Sequence, residues 1–141
     1  MARKHSYYLP LDEDFWHDPE VQMFKREKGK SAVLDYLMIL TFMRDYQRTD
    51  YMIPFVYLPM LAYELDEEPD ELKETISYCI KIGFFEVYTD EVEKTKFFFS
   101  RRRQNDLRAW QLYTEKCSQA GKKGNDMRWN NRDKENTDEN N

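Results

Sequence analysis

The sequence is poor in glycine and histidine and contains no long apolar run. Only four of the 141 residues are glycine, and no glycine-rich loop of the kind that cradles phosphates is present. The two histidines, His5 and His17, form neither a Ser/His/Asp arrangement nor an HExxH motif. No apolar stretch approaches the roughly 20 residues that a membrane-spanning helix needs, and the mean hydropathy is -0.93. These absences predict a protein that is neither an enzyme nor a membrane protein.

The cysteines and the N-terminus carry no processing signal. Cys79 and Cys117 have no CxxC spacing, and Cys79 falls on the apolar face of a predicted helix, which favours a reduced, structural thiol. The first residues, MARKHSYYLPLDEDFW, contain no uninterrupted apolar segment after the basic residues. We therefore expect a cytoplasmic protein without a signal peptide.

One acidic segment superficially resembles a site for a hard cation. His17 lies among Asp12, Glu13, Asp14 and Asp18. Asp18 is better explained as the cap of the helix that Pro19 begins, and the other carboxylates as a solvated surface. We predict no metal and no cofactor.

The length and composition suit a single domain with a tail. About 40% of the residues are apolar and 22 are aromatic, with nine Phe, ten Tyr and three Trp. At this size such a composition supports one core rather than two.

The charge is distributed unevenly along the chain. The total is -5, but residues 1–93 carry -10, residues 94–132 carry +8 and residues 133–141 carry -3. A basic segment attached to an acidic body often marks an element that binds a polyanion.

Hydrophobic periodicity predicts five helices and three strands. The helices cover 18–28, 31–47, 57–66, 69–82 and 104–119, and the strands cover 51–55, 84–90 and 94–100. We expect Ser31 to cap the second helix. The order predicts a mainly helical α+β fold, namely a winged helix-turn-helix with a two-stranded wing and a C-terminal helical extension. The predicted divisions are a winged-helix domain over 1–103, a basic extension over 104–132 and a disordered acidic tail over 133–141.

The second helix of the helix-turn-helix has an acidic outer surface. Such a helix ordinarily enters the major groove of DNA, but carboxylates repel phosphate. The surface is either purely structural or a site for a protein partner. The candidate partner-binding residues are Glu67, Glu68, Glu71, Glu74 and Tyr78.

The basic segment is the candidate nucleic-acid contact. Lys94 and Lys96 alternate along the last strand and share a face, three arginines close the strand, and Arg108 follows one helical turn later. Guanidinium groups bind phosphates in a bidentate way. The alternative is a solvated edge strand whose charges prevent aggregation. The candidate residues are Lys94, Lys96, Arg101, Arg102, Arg103, Arg108, Lys122, Lys123 and Arg128.

Phe97, Phe98 and Phe99 alternate between the two faces of the last strand, so at least one ring needs cover. Packing in the wing together with an oligomer contact is the favoured explanation, and stacking on single-stranded bases is the alternative.

Two segments resemble a known family. YYLPLDEDFWHDPEVQMFKREKG with the following SAVLDYLMIL helix, continued through IGFFEV, is similar to the N-terminal domain of phage replisome organisers and DnaD-like primosomal proteins. AGKKGNDMRWNN resembles the Ala-Gly-(Arg/Lys)-Lys-Gly-Gly-x-x-Arg-Trp segment of those proteins, with Asn125 in place of the second glycine. The resemblance covers about residues 5–130. It implies a replication-initiation protein that binds origin DNA, recruits a helicase or its loader, and associates into oligomers.

The chain departs from that family by ending after the basic segment, without the second helical domain normally responsible for recruitment. Either the sequence is truncated or the protein is a short variant. We predict a non-enzymatic DNA-binding protein that contacts the phosphate backbone through its basic wing and extension, forms a homo-oligomer, and meets a replication or other host protein. The alternative is a protein-interaction module, an inhibitor or adaptor, that uses its acidic surface without binding DNA. Sequence-specific repression is disfavoured because the second helix is acidic.

Overall fold

The computed structural model describes the backbone of residues 9–139 and the side chains of residues 9–124. This part of the chain folds into five α-helices and a small antiparallel sheet, which confirms the predicted mainly helical α+β class. In chain order the elements are α1 (Pro19–Lys28), α2 (Lys30–Phe42), β1 (Ile53–Pro54), α3 (Leu58–Glu64), α4 (Pro69–Lys81), β2 (Glu86–Thr89), β3 (Lys96–Phe99) and α5 (Arg101–Glu139).

Helices α1 and α2 meet at Gly29. The carboxylate of Asp18 accepts backbone hydrogen bonds from the first turn of α1, so its predicted role as a cap is confirmed. Gly29 ends α1 with a φ of +91°, a conformation that glycine adopts without steric cost. Helix α2 then begins at Lys30 with no side-chain cap, so the predicted cap at Ser31 is wrong.

Helix α2 supplies the centre of the core. Val33, Ile39 and Leu40 are buried, and Met43 is buried directly after the helix. The helix ends at Phe42, short of the predicted residue 47, and two 3-10 turns follow. In its last turn the hydroxyl of Thr41 donates to the carbonyl of Met38, a local bond that competes with regular helical hydrogen bonding.

A tight turn joins α3 to α4. Asp66 adopts a left-handed φ of +54°, and Pro69 begins α4, as predicted. Leu72, Ile76 and Cys79 line the buried face of α4. Ile80 and Ile82, at the C-terminal end of α4, are half-buried at the margin of this face.

Tyr78 was predicted to face outward from α4, and this prediction is wrong. Its side chain is 9% exposed, and its ring lies 5.3 Å from that of Phe24 on α1. Phe24 also contacts Tyr36 and Phe84 ring to ring. Because Tyr78 packs in this aromatic cluster, the buried face of α4 is wider than the positions of the aliphatic residues of α4 indicate.

The sheet places β3 between β1 and β2. Phe98 of β3 is paired with Ile53 on one side and Val87 on the other, both antiparallel. The predicted hairpin is therefore present, and the predicted strand at 51–55 adds Ile53–Pro54 as a third member. Strand β2 begins later than predicted because Gly83 turns the chain and the N–H groups of the next two residues both donate to the carbonyl of Cys79. Strand β3 is shorter than predicted because Lys94 lies in the hairpin turn and Ser100 caps α5.

The three consecutive phenylalanines differ in burial. Phe98 is fully buried and Phe99 is 2% exposed, whereas Phe97 is half-buried and lies 6.2 Å from the ring of Tyr88. The sheet and its neighbours therefore cover two of the three rings without a partner chain.

Helix α5 begins earlier and continues further than predicted. The hydroxyl of Ser100 accepts a hydrogen bond from the N–H of Arg103, which caps the first turn. The helical backbone extends to Glu139 and includes residues 133–139, which the composition predicted to be disordered. The chain divides into two compact units between Leu107 and Arg108, a few residues after the predicted boundary at 103. No helix in the described part is long and apolar enough to cross a membrane.

Candidate nucleic-acid interface

Arg101 and Arg102 lie in the first turn of α5, not at the end of a strand as predicted. The Nε of Arg101 is 2.8 Å from a carboxylate oxygen of Glu86 on β2, and its guanidinium lies 4.8 Å from the centre of the Phe99 ring. Arg102 donates two hydrogen bonds, of 3.0 and 2.9 Å, to the two carboxylate oxygens of Asp12. These bonds and the charge of Arg102 lower the pKa of Asp12.

Both arginines remain accessible to a ligand. Their side chains are 55% and 67% exposed, and the carboxylates they contact are similarly exposed. Exposed ion pairs contribute little to stability because water screens them. A phosphate can therefore replace either carboxylate at small cost, and the bidentate geometry at Arg102 is the geometry in which guanidinium binds phosphate.

Arg103 does not share this surface. It is 6% exposed, and its Nε donates a hydrogen bond of 3.0 Å to the carbonyl of Leu40 at the end of α2. Burial lowers the pKa of its guanidinium. The sequence analysis assigned Arg103 to the end of a strand. In a helix, residues four apart share a face, and Leu107, four residues after Arg103, is also buried, so helical periodicity places Arg103 on the inward face of α5. The structure places Arg103 in the core, away from the other two arginines.

Lys94 and Lys96 are exposed, but they do not share a strand face. Lys94 lies in the hairpin turn with a φ of +55°, and β3 begins only at Lys96. The same turn carries Asp90, Glu91 and Glu93, and Asp90 accepts hydrogen bonds from the backbone of the turn. The tip of the hairpin therefore carries more negative than positive charge. The charge sum over residues 94–132 concealed this, because it began after the three carboxylates.

In the unit that begins at Arg108, the charged side chains that the structure describes, within residues 108–124, are mostly basic. Lys116, Lys122 and Lys123 are exposed along α5. Glu115 is the acidic residue among its described side chains, and it accepts a hydrogen bond from Gln111. The predicted contact Arg128 lies outside the residues whose side chains are described.

The acidic residues predicted to bind a partner divide into two groups. Glu68, Glu71 and Glu74 are exposed. Glu67 is half-buried and hydrogen-bonded to Asp35 of α2. The burial of Asp35 and its contact with Glu67 raise the pKa of Asp35 to about 7. With Tyr78 in the core, only the three exposed carboxylates form an accessible surface.

A basic cluster within the acidic body was missed by the sequence analysis. Lys25, Arg26, Lys28 and Lys30 lie around the junction of α1 and α2. The run KREKGK was the available signal, and summing charge over 93 residues hid it.

Arg101 and Arg102 border a groove of about 980 Å³. Phe15, Tyr36 and Phe84 form its apolar part, and burial raises the pKa of Tyr36 to about 12. Four carboxylates also line it, those of Asp12, Asp14, Asp18 and Asp106. The groove therefore does not favour an anionic ligand. In the described part of the chain no three His, Cys, Asp or Glu residues lie together as a candidate metal site.

Comparison with known proteins identifies a family. Residues 8–102, more than half of the chain, match the family model described as Lin1244/Lin1753-like, N-terminal. No curated protein and no solved structure matches the chain.

Proposed function

The chain belongs to the Lin1244/Lin1753-like, N-terminal family, and with that membership and the surface described above we propose that it is a DNA-binding protein that holds the phosphate backbone through exposed cations. The observation that carries the proposal is the pair Arg101 and Arg102, two exposed guanidinium groups in the first turn of α5, with the exposed Lys96 at the opposite end of β3. In the second unit, taken by itself, Lys116, Lys122 and Lys123 are exposed cations of the same kind. Phosphate neutralisation by such residues supplies most of the affinity of non-specific binding.

We propose that the first unit is a winged helix. The α3–α4 pair is followed by the β2–β3 hairpin, and β1 completes a sheet in the order β1-β3-β2. The exposed face of α4 carries Glu71 and Glu74, which disfavours base readout by this helix. The proposed contacts are therefore to the backbone and carry little sequence information.

The proposed biological setting is phage or prophage replication initiation. It rests on the resemblance to replisome organisers described above, and the homo-oligomer and the recruited replication protein belong to the same proposal.

A matched pair of variants tests the DNA-binding proposal. K96Q/R102Q removes one lysine and one arginine from the proposed contact, and R48Q/K73Q removes one of each from other exposed positions. Loss of two phosphate contacts lowers the slope of log K against log salt by about 1.8 and weakens binding to duplex DNA roughly tenfold or more near 0.1 M salt. We expect this effect for K96Q/R102Q alone. Equal binding by the two variants, or no binding by the unaltered chain at 50 mM salt, would contradict the proposal.

A second candidate is a protein-interaction module. Val56, Met60 and Tyr63 occur at helical spacing on and just before α3 and are 74%, 47% and 84% exposed. They lie on the helix that packs beside the acidic α4. An apolar stripe next to carboxylates fits a basic amphipathic helix of a protein partner. Co-purification of a host protein that is lost in Y63S and retained in Y113S would favour this candidate.

A further inference from the structure

We propose that the junction of α1 and α2 is a second nucleic-acid contact, formed by Lys25, Arg26, Lys28 and Lys30. It rests on the proposed DNA-binding function and extends it to a separate surface of the first unit. The four cations will be called the α1–α2 basic corner. They lie within six consecutive residues that include a single carboxylate, that of Glu27.

The basic corner is accessible. Arg26, Lys28 and Lys30 are exposed and Lys25 is half-buried. Glu27 accepts a hydrogen bond from the hydroxyl of Tyr78, and burial together with this contact raises the pKa of Tyr78. The single negative charge of Glu27 leaves residues 25–30 with a net charge of +3.

The helix dipole stabilises some of these cations and not others, so it shows which of them the stability of the fold explains. Lys25, Arg26 and Lys28 lie in the last turn of α1, where the helix dipole stabilises positive charge. Lys30 is in the first turn of α2, where the dipole disfavours a cation, and that turn contains neither an acidic residue nor a side-chain cap. Fold stability therefore explains the first three residues and leaves Lys30 unexplained. A bound phosphate would favour Lys30 and the partial positive charge of the α2 terminus together.

One contact fixes the corner against α4. The Nζ of Lys28 lies 5.6 Å from the centre of the Tyr78 ring. Lys81, three residues after Tyr78 and exposed, is its neighbour on the helix surface. Glu74, four residues before Tyr78, is the nearest carboxylate on α4 by the same helical spacing. Helix α4 thus presents carboxylates along its first turns and a lysine, next to the corner, in its last turn.

The spacing of the cations suits a polyphosphate backbone. Lys25 and Lys28 are separated by about 4.5 Å along the helix axis, and one strand of DNA carries a phosphate about every 3.4 Å. Lysine side chains are long and flexible, so two successive phosphates of one strand lie within reach of Lys25 and Lys28, and Lys30 adds a cation at the start of α2.

The test compares R26Q/K30Q with the control R48Q/K73Q and with K96Q/R102Q in salt titrations of duplex DNA binding. Each variant removes one arginine and one lysine, so the net charge is matched. We expect R26Q/K30Q to lower the salt slope by about 1.8 and to weaken binding roughly tenfold or more near 0.1 M salt, as two lost phosphate contacts require. A variant that combines R26Q/K30Q with K96Q/R102Q should show the sum of the two losses in slope.

The outcomes separate the two proposals. If R26Q/K30Q binds like the control while K96Q/R102Q loses affinity, the basic corner is not a contact and the DNA-binding proposal stands. If only R26Q/K30Q loses affinity, the corner is the contact and the surface around Arg102 is not. No binding by the unaltered chain overturns both. A competition with polyglutamate at equal charge concentration tests a further alternative. If polyglutamate displaces DNA from the unaltered chain but not from R26Q/K30Q, the basic corner binds an acidic protein instead.

Discussion

Asp35 and Glu67 form a hydrogen-bonded carboxyl pair that joins α2 to the turn between α3 and α4. Asp35 is 6% exposed. Its burial, the hydrogen bond and the charge of Glu67 raise its pKa to about 7. Two carboxyl groups in contact can share a proton, so the protonated form is the one that the folded protein favours. Glu67 is therefore a residue of the helix-pair junction.

The pair predicts that stability falls as pH rises from about 4 to about 8. The folded-state pKa of Asp35 lies above its unfolded value of 3.8, so its stabilising contribution is complete below the unfolded pKa and is lost as pH rises through about 7. We expect the free energy of unfolding to fall by about 2 kcal/mol over this range. This is less than the full pKa shift of Asp35 implies, because water screens the half-buried Glu67. Urea denaturation of the native protein and D35N at several pH values measures it. D35N should lack this loss and be the more stable of the two at pH 8, and parallel curves for both proteins would contradict the assignment.

Arg103 should matter for stability far more than the arginines beside it. R103A leaves the buried carbonyl of Leu40 without its partner, which costs about 1–3 kcal/mol. R102A breaks only an exposed ion pair, so we expect little change. Chemical denaturation of both variants gives the comparison. A small effect of R103A, similar to that of R102A, would show that the buried guanidinium is readily replaced by water.

The two thiols should react very differently. Burial raises the pKa of Cys79 to about 12, so almost no thiolate is present at neutral pH. Cys117 is exposed. A disulfide reagent should modify one thiol in the native protein and two after denaturation, and C117S should remove the native reaction. Fast modification of native C117S would show that the core around Cys79 opens.

Much of the fold could be predicted because burial follows simple periods. Hydrophobic periodicity over 69–82 identified α4, and Asp18 with Pro19 identified the start of α1, since these signals are local. Tyr78 was misplaced because its burial depends on Phe24 from another helix, a contact that no local period contains.

The candidate interface was harder to predict for the same reason. The sequence treats Arg101, Arg102 and Arg103 as one basic run, whereas the helix turns the third inward to a carbonyl 63 residues away in the chain. Charge summation also joined Lys94 to the basic segment, although its spatial neighbours in the turn are carboxylates. Net charge along a chain therefore indicates where cations are plentiful, and only the fold shows which of them share a surface.

The acidic face of α4 should weaken DNA binding if DNA approaches the basic corner beside it. E71K/E74K converts two exposed carboxylates on this face into lysines, and we expect tighter binding to duplex DNA. If both lysines reach phosphates, the salt slope should increase by up to about 1.8. The control D45K/E64K makes the same change in net charge at exposed positions that belong to neither proposed contact. A general effect of charge would strengthen binding equally in both variants, whereas a local one requires a larger gain for E71K/E74K. Equal gains would place α4 away from the DNA, and a loss of affinity in E71K/E74K would mean that its carboxylates position the bound strand.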